Sequence, residues 1–275
     1  MSVGIGSNIS AMISQRNLSN NNRDVNDSMR AITSGSRVSR ASDDPASFAI
    51  SESLRGQLAG VKQASFNAQN AQSMMQTAEG ALNQQNNILI RLRELSVQGA
   101  SDTLGDKERE LIDVEFQQLN GELSRIAEST RFGNNSLLNG ESEAYEFQVG
   151  PNGNEHDVIA FNINADTTAE GLNMDDIEVT DQSGAIDALT NIDSAMEKLS
   201  GVRAKFGAFQ SRLNHTIDNL GAQSEGLEQA RSTIADTDVA EEMSKLTQSQ
   251  IKQDMSTAML AMSNQNAQRV LSLLG

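Results

Sequence analysis

The sequence predicts a mainly α protein, in which long antiparallel helices form a coiled-coil-like rod with a small β-hairpin region and the termini form a separate helix pair. Apolar residues recur at spacings of three and four over two long stretches, which is typical of helices packed along a seam. Two prolines, Pro45 and Pro151, occur in 275 residues, so most of the chain carries no helix breaker. Aromatic residues make up 3% of the chain, and burial must therefore come from Leu, Ile, Val, Met and Ala.

The first long helix is predicted to begin at Pro45 and to end near Gly99. Asp44 can cap the free N–H groups of the first turn, and proline suits the first helical position. One position of the apolar seam, Gln85, is polar. The apolar seam positions are Leu54, Leu58, Val61, Ala64, Ala68, Ala71, Met75, Ala78, Leu82, Leu89, Leu92 and Leu95.

A shorter helix over about 106–130 and then a β insert at about 140–180 are predicted to follow. Two short segments alternate apolar and polar residues on either side of the turn at 150–154, which is the pattern of a β-hairpin. The apolar strand residues are Tyr145, Phe147, Val149, Ile159, Phe161 and Ile163. No Lys or Arg lies between Arg131 and Lys198, so this insert is predicted to be acidic and solvated.

The second long helix returns after the insert, and its seam is similar in length to the first. Two long seams joined by a short insert are expected to pack antiparallel, and they define a predicted helical domain over 43–235. The seam positions are Leu189, Ile192, Met196, Leu199, Val202, Phe206, Phe209, Leu213, Ile217 and Leu220.

The two chain ends, residues 1–42 and 236–275, are predicted to form a separate inner coiled-coil domain. Their apolar stripes are thin, and ordering each residue costs about 1–2 kcal/mol of backbone entropy. We therefore expect these ends to be disordered in the monomer and to fold when several copies assemble. The apolar self-assembly residues predicted here are Ile5, Ile9, Met12, Leu18, Val25, Met29, Ile32, Met243, Leu246, Ile251, Met255, Met259, Met262, Val270, Leu271, Leu273 and Leu274.

A basic stripe with a period of seven residues runs along the N-terminal helix: Arg16, Arg23, Arg30 and Arg37, with Arg40 just beyond. One interpretation is a solvated helix face, which is the common meaning of such a pattern. The other is a contact between subunits, in which Arg23, Arg30 and Arg37 meet carboxylates of a neighbouring copy. The candidate carboxylates are Asp236, Asp238, Glu241 and Glu242.

Composition argues against several classes of function. The net charge of −16 disfavours nucleic-acid binding, and the absence of cysteine removes thiolate chemistry. No apolar run is long enough to span a bilayer, so no membrane insertion is expected. His156 and His215 belong to different predicted elements and to no metal or catalytic motif. We expect no enzyme activity, no cofactor and no metal.

Several segments, in order along the chain, resemble the bacterial flagellin family. They are 32–37 (ITSGSR), 41–46 (ASDDPA), 67–70 (NAQN), 77–82 (TAEGAL), 91–98 (RLRELSVQ), 212–214 (RLN), 230–238 (ARSTIADTD) and 270–274 (VLSLL). The resemblance implies a structural subunit that self-assembles into the flagellar filament used for motility. The short insert implies a short form without large outer variable domains.

The resemblance also implies an export route and partners. Flagellins leave the cell unfolded through the flagellum's own export channel, without a cleaved signal peptide, and polymerise at the tip of the extracellular filament. The implied partners are other copies of the chain, the flagellar cap and hook–filament junction proteins, and an export chaperone at the C-terminal region. A host Toll-like receptor is a further implied partner, and the positions matching its contact are Arg91, Leu95, Gln98 and Glu115.

Two alternative functions stay open at this point. A hook–filament junction protein shares related terminal helices but does not polymerise alone, and the RLRELSVQ and VLSLL segments favour flagellin over it. A secreted immune ligand that acts as a monomer would keep its function after loss of both termini.

Overall fold

The computed structural model describes residues 8–140, 144–162 and 165–272. Its long helices and two small antiparallel sheets confirm the mainly α class. The helices are α1 (Ile9–Ser34), α2 (Pro45–Gly99), α3 (Asp106–Ser129), α4 (Ala169–Leu172), α5 (Gln182–Ala235) and α6 (Val239–Ser272). The strands are β1 (Arg131–Phe132), β2 (Asn135–Ser136), β3 (Tyr145–Gln148) and β4 (Val158–Phe161), and a single 3₁₀ turn covers Glu155–Asp157.

The chain divides into two compact units. The terminal unit consists of Met1–Gln57 and Gly226–Gly275, and the central unit of Leu58–Glu225. Both borders fall inside long helices, α2 and α5, whereas the domain boundaries predicted from sequence fall in turns at 42/43 and 235/236. Those boundaries stay a prediction.

The start of α2 has the predicted capping chemistry. Asp44 Oδ1 accepts hydrogen bonds from the N–H groups of Ala46 at 3.1 Å and Ser47 at 3.2 Å. The Ser47 hydroxyl donates to Asp44 Oδ2 at 2.6 Å. The Ser47 hydroxyl and amide bonds lower the pKa of the Asp44 carboxyl, because they stabilise its charged form.

In the central unit, α2 and α5 run antiparallel, and their seams are buried as predicted from Leu58 to Leu95 and from Ile192 to Leu220, with a few positions half-buried. Polar pairs between the two helices show the direction. As residue numbers rise along α2, those of the partners on α5 fall. The pairs are Gln72 Nε2 to Asn214 Oδ1 at 2.9 Å, Gln210 Nε2 to Glu79 Oε2 at 2.9 Å and Arg93 Nε to Asp193 Oδ1 at 2.8 Å.

Gln85, the polar member of the α2 seam, is fully buried. Its side-chain amide donates to the carbonyl oxygens of Leu123 at 3.1 Å and Thr167 at 3.0 Å. It therefore connects α2 to α3 and to the segment before α4. These two bonds satisfy the buried Nε2 of Gln85, whereas its buried Oε1 has no hydrogen-bond partner, so they offset part of the cost of a polar residue in the apolar seam.

The predicted β-hairpin forms from β3 and β4, with Tyr145 opposite Phe161 and Phe147 opposite Ile159. Its inner face packs on α5. The Phe161 ring lies 4.1 Å from that of Phe209 and 5.3 Å from that of Phe206, measured between ring centroids. Ile163, the last residue of the predicted strand pattern, lies outside the described residues.

Two short elements were not predicted. The β1–β2 hairpin turns at Gly133, whose φ of 62° is in the left-handed region that glycine tolerates. Helix α4 is one turn long, and the Thr168 hydroxyl caps it by accepting from the Gly171 N–H at 3.1 Å. Both elements are too short to produce a hydrophobic period, so the pattern could not reveal them.

Replacing Gln85 with alanine is expected to destabilise the central unit by about 2–4 kcal/mol, because two buried carbonyls lose their donor and a cavity opens. Equilibrium urea unfolding would measure the loss. Gln84→Ala is the matched control, because Gln84 is exposed on the same helix turn. Equal stabilities for the two variants would contradict the role given to Gln85.

The Asp44 cap is expected to titrate. Its folded pKa is lowered from the reference of 3.8, so its stabilising effect on the first turn is present above pH 3.8 and is lost as the pH falls through the folded value. Amide exchange at Ala46 and Ser47, corrected for intrinsic rates, should therefore accelerate below that pH. Asp44→Asn provides a cap that does not titrate, and the same acceleration in this variant would rule out the mechanism.

Candidate assembly surface on the terminal helices

Helices α1 and α6 of the terminal unit pair through small polar side chains. Hydrogen bonds between described side chains join them, and the order of three of these bonds makes the pair antiparallel. The bonds are Asn21 Nδ2 to Ser256 Oγ at 2.8 Å, Ser28 Oγ to Glu242 Oε1 at 2.9 Å and Gln253 Nε2 to Asn22 Oδ1 at 2.6 Å. Polar bonds of this kind define the register of the two helices but contribute little net stability each.

Apolar burial between these two helices is small. Leu18, Val25 and Ile32 are half-buried and lie, at steps of three and four, on the same face of α1 as Asn21 and Ser28. Leu246 is the one buried hydrophobic residue in the described parts of α1 and α6. The other buried residues there are Ser28, Ser249 and Ser256.

Among the predicted apolar assembly residues whose side chains the structure describes, most point to solvent. On α6, Ile251, Met255, Met259 and Met262 recur at steps of three and four, so they share one face, and it is not the face of Leu246, Ser249 and Ser256. The large hydrophobic residues exposed on the described parts of the two helices are Ile9, Met12, Ile13, Met29, Val239, Met243, Ile251, Met255, Met259 and Met262. Ile13 was missed, although its position one residue after Met12 and four after Ile9 fits the stripe.

The turns that join these helices to the rest of the unit also pair with each other. α1 ends at Gly35, whose φ of 67° makes a left-handed C-cap. The Thr237 N–H donates to the Gly35 carbonyl at 3.1 Å, and the Arg37 N–H donates to the Ala235 carbonyl at 2.7 Å. The Arg37 guanidinium donates to the Ile234 carbonyl at 2.8 Å, so this arginine binds the C-terminal end of α5.

Two other arginines of the basic stripe, Arg23 and Arg30, make local contacts. Arg30 pairs with Asp27 at 2.8 Å, and Arg23 donates to Asn20 Oδ1 at 2.5 Å, both within α1. In the described part of the chain, these side chains form no ion pair with the carboxylates proposed for them. Asp238 instead caps α6 by accepting from the Ala240 N–H at 2.8 Å. Within one copy, Arg23 and Arg30 therefore lie on a solvated face, and their role between copies stays a prediction.

Several predicted residues cannot be placed. Ile5, Leu273 and Leu274 lie outside the described residues, and of Val270 and Leu271 the structure describes only that they belong to α6. Their role in assembly stays a prediction.

Three of the four residues matching a receptor contact lie on the surface of the central unit. Arg91 on α2 pairs with Glu115 on α3 at 2.7 Å and with Glu94 at 3.0 Å, and these bonds raise the pKa of its guanidinium. Gln98 is exposed on α2. Leu95 is only 2% exposed, because it belongs to the packed seam as predicted, and its part in a receptor contact stays a prediction.

A cleft in the central unit is lined by both histidines. His156 and His215, from different elements, line one open cleft of about 620 Å³ together with Arg212. Across the described ranges, no three His, Asp or Glu side chains are grouped to hold a metal ion. A search of the same ranges finds no helix with the length and apolarity needed to cross a membrane.

Comparison with known proteins gives agreement over nearly the whole chain. Residues 5–143 match the bacterial flagellin N-terminal helical region, and residues 189–274 match the bacterial flagellin C-terminal helical region. A flagellin of Halalkalibacterium halodurans is 41% identical, with 98% of this chain and 99% of that protein covered. The flagellar filament 33 kDa core protein of Treponema phagedenis is 37% identical over the same shares.

One solved structure agrees with this result. The crystal structure of Bacillus cereus flagellin is 28% identical with a TM-score of 0.50, covering 56% of this chain and 88% of that chain. The matches over both terminal regions and the short insert favour a filament subunit over a hook–filament junction protein. The chain belongs to the bacterial flagellin family, as a short-form structural protein of the flagellar filament.

Proposed function

We propose that the outward apolar faces of α1 and α6 are the surfaces through which copies of this chain contact one another in the filament. The observation that carries the proposal is the arrangement of the terminal pair, with polar side chains between its two helices and large apolar side chains in solvent. An isolated pair gains little from this arrangement. A helix surrounded by neighbours of the same kind would bury those side chains, at about 1.5–3 kcal/mol for each one fully covered.

The same arrangement supports folding on assembly. Ordering a residue costs about 1–2 kcal/mol in backbone entropy. Helix α1 has 26 residues and α6 has 34, so the total cost of ordering the pair is large. The pair has few buried apolar side chains with which to offset that cost. We therefore propose that both helices are weakly ordered in the free subunit and become stable when neighbouring copies cover them.

A chain whose ends become ordered only on assembly also suits a process in which export comes first and polymerisation follows. We propose that the subunit leaves the cell unfolded, without a cleaved signal peptide, and polymerises at the filament tip beneath the cap, with the hook–filament junction proteins at the filament base. An export chaperone would cover the apolar C-terminal region until export. The exposed Met and Ile residues of α6 support this last point, since an uncovered apolar face of this size promotes aggregation.

The double variant Ile251→Gln and Met259→Gln is expected to lose elongation from filament seeds. Two large apolar side chains of the α6 outward face become polar, while glutamine keeps the helix propensity of the segment. Electron microscopy of purified subunit mixed with sheared seeds would measure filament length. Hydrogen exchange on α1 and α6 should be fast in the free subunit and slow in the filament.

Asp254→Gln with Thr257→Gln is the matched control for this test. Both positions are exposed on the same stretch of α6, and neither is apolar. The control should elongate at a rate close to that of the wild-type chain. If the Ile251 and Met259 variant elongated equally well, the outward apolar face would not be the assembly surface.

A second proposal concerns recognition by the host Toll-like receptor. The observation favouring it is that Arg91, Gln98 and Glu115 are exposed and that the Arg91–Glu115 ion pair joins α2 to α3. Ile90 on α2 and Leu111 on α3 are also exposed. A contact surface formed by residues of both helices requires α2 and α3 to be folded.

Arg91→Ala is expected to lower the response of a receptor-reporter assay to the soluble subunit by about tenfold, because the Arg91–Glu115 ion pair is lost from the proposed contact surface. Arg93→Ala is the matched control, because Arg93 also forms an exposed ion pair, with Asp193, but on the side of α2 that meets α5. Equal responses from the two variants, or a silent wild-type subunit, would refute the proposal.

A further inference from the structure

The methionines of the described chain separate into two groups according to exposure. Met75 and Met174 are fully buried and Met74 is 4% exposed, all in the central unit, where Met196 is half-buried. The exposed methionines all belong to α1 or α6, with exposures from 47% at Met243 to 67% at Met12. They are Met12, Met29, Met243, Met255, Met259 and Met262.

Methionine is a soft residue that suits adaptable apolar contacts, and it is also the apolar residue most readily oxidised. In the reaction with hydrogen peroxide, the thioether sulfur attacks one peroxide oxygen and the O–O bond breaks. An S–O bond forms, the proton of the attacked oxygen passes to the second oxygen, and the second oxygen leaves as water. The sulfur is oxidised by two electrons, and the peroxide is reduced by two.

We infer that these six methionines, hereafter the exposed methionine set, are a reversible oxidation site that blocks assembly of the free subunit. The inference rests on the proposed function of the outward apolar faces. Sulfoxide formation converts a flexible apolar side chain into a polar one and so removes the contribution that burial would make. A methionine sulfoxide reductase reverses the change, because two thiols become a disulfide while the sulfoxide oxygen leaves as water.

Burial decides which methionines react. Met74, Met75 and Met174 are enclosed by the core of the central unit, so peroxide reaches them only when that unit unfolds. Assembly would cover the exposed methionine set in the same way, and a finished filament should therefore resist oxidation at positions where the free subunit reacts. The sensitive period is the interval between export and incorporation.

The test compares the full-length free subunit with preformed filaments, both treated with dilute hydrogen peroxide. Peptide mass spectrometry should find one added oxygen on each member of the exposed methionine set in the free subunit, and far less in the filament. Met74, Met75 and Met174 should stay unmodified in both samples. Electron microscopy should then show loss of seeded elongation by the treated subunit and its recovery after incubation with methionine sulfoxide reductases and a thiol.

Two variants separate the exposed methionine set from general oxidative damage. Leucine at all six positions keeps the apolar surface and removes the thioether, so this chain should elongate equally well before and after peroxide. Met74→Leu with Met75→Leu is the matched control and should lose elongation after peroxide, as the wild-type chain does. Circular dichroism of each sample before seeding verifies that helix content is unchanged by treatment.

Two results would overturn the inference. One is unchanged elongation by a wild-type subunit whose six methionines are shown to be oxidised. The other is oxidation of the buried methionines at the same rate as the exposed ones. Failure of the untreated subunit to elongate at all would instead contradict the proposed assembly surface, and this inference with it.

Discussion

The central unit depends on burial of two long apolar seams, one on α2 and one on α5. Together with α3 and the β3–β4 hairpin, these seams bury the leucine, alanine and phenylalanine side chains of the core. Each covered Leu-sized side chain stabilises by about 1.5–3 kcal/mol, so a helix lined with them can be stable without neighbouring copies. Gln85, the single polar residue of the α2 seam, can lie in this core because its side-chain amide donates hydrogen bonds to two buried carbonyl oxygens.

The terminal unit is also helical, but most of the large apolar side chains described on α1 and α6 are exposed rather than buried. Between α1 and α6 the contacts are serine, asparagine and glutamine bonds, and the large apolar residues lie outside. Such bonds specify which residues meet, but their net contribution to stability is modest. The molecule therefore combines a unit that has a large apolar core with a helix pair that buries few apolar side chains, and this pair is the one for which we propose stabilisation by neighbouring copies.

Use of methionine on the outward faces has a chemical consequence that leucine would not have. The thioether packs adaptably against neighbours that approach from several directions, which suits contacts repeated around a helical polymer. The same sulfur is open to oxidation while the subunit is free. Burial within the central unit protects Met75 and Met174, and burial between copies would protect the exposed methionine set.

Local patterns along the chain determined the helices, the cap at Asp44, the β3–β4 hairpin and the residues of the apolar stripes, because each depends on period or on neighbouring side chains. Only the tertiary structure decided which side of a stripe is covered: Leu246 faces inward and Met255 outward, although both fit a helical period. It also gave Arg37 a carbonyl of α5 as its partner. Burial and long-range hydrogen bonds depend on contacts between residues that are distant in sequence. A pattern along the chain does not contain the distances between helices that determine these contacts.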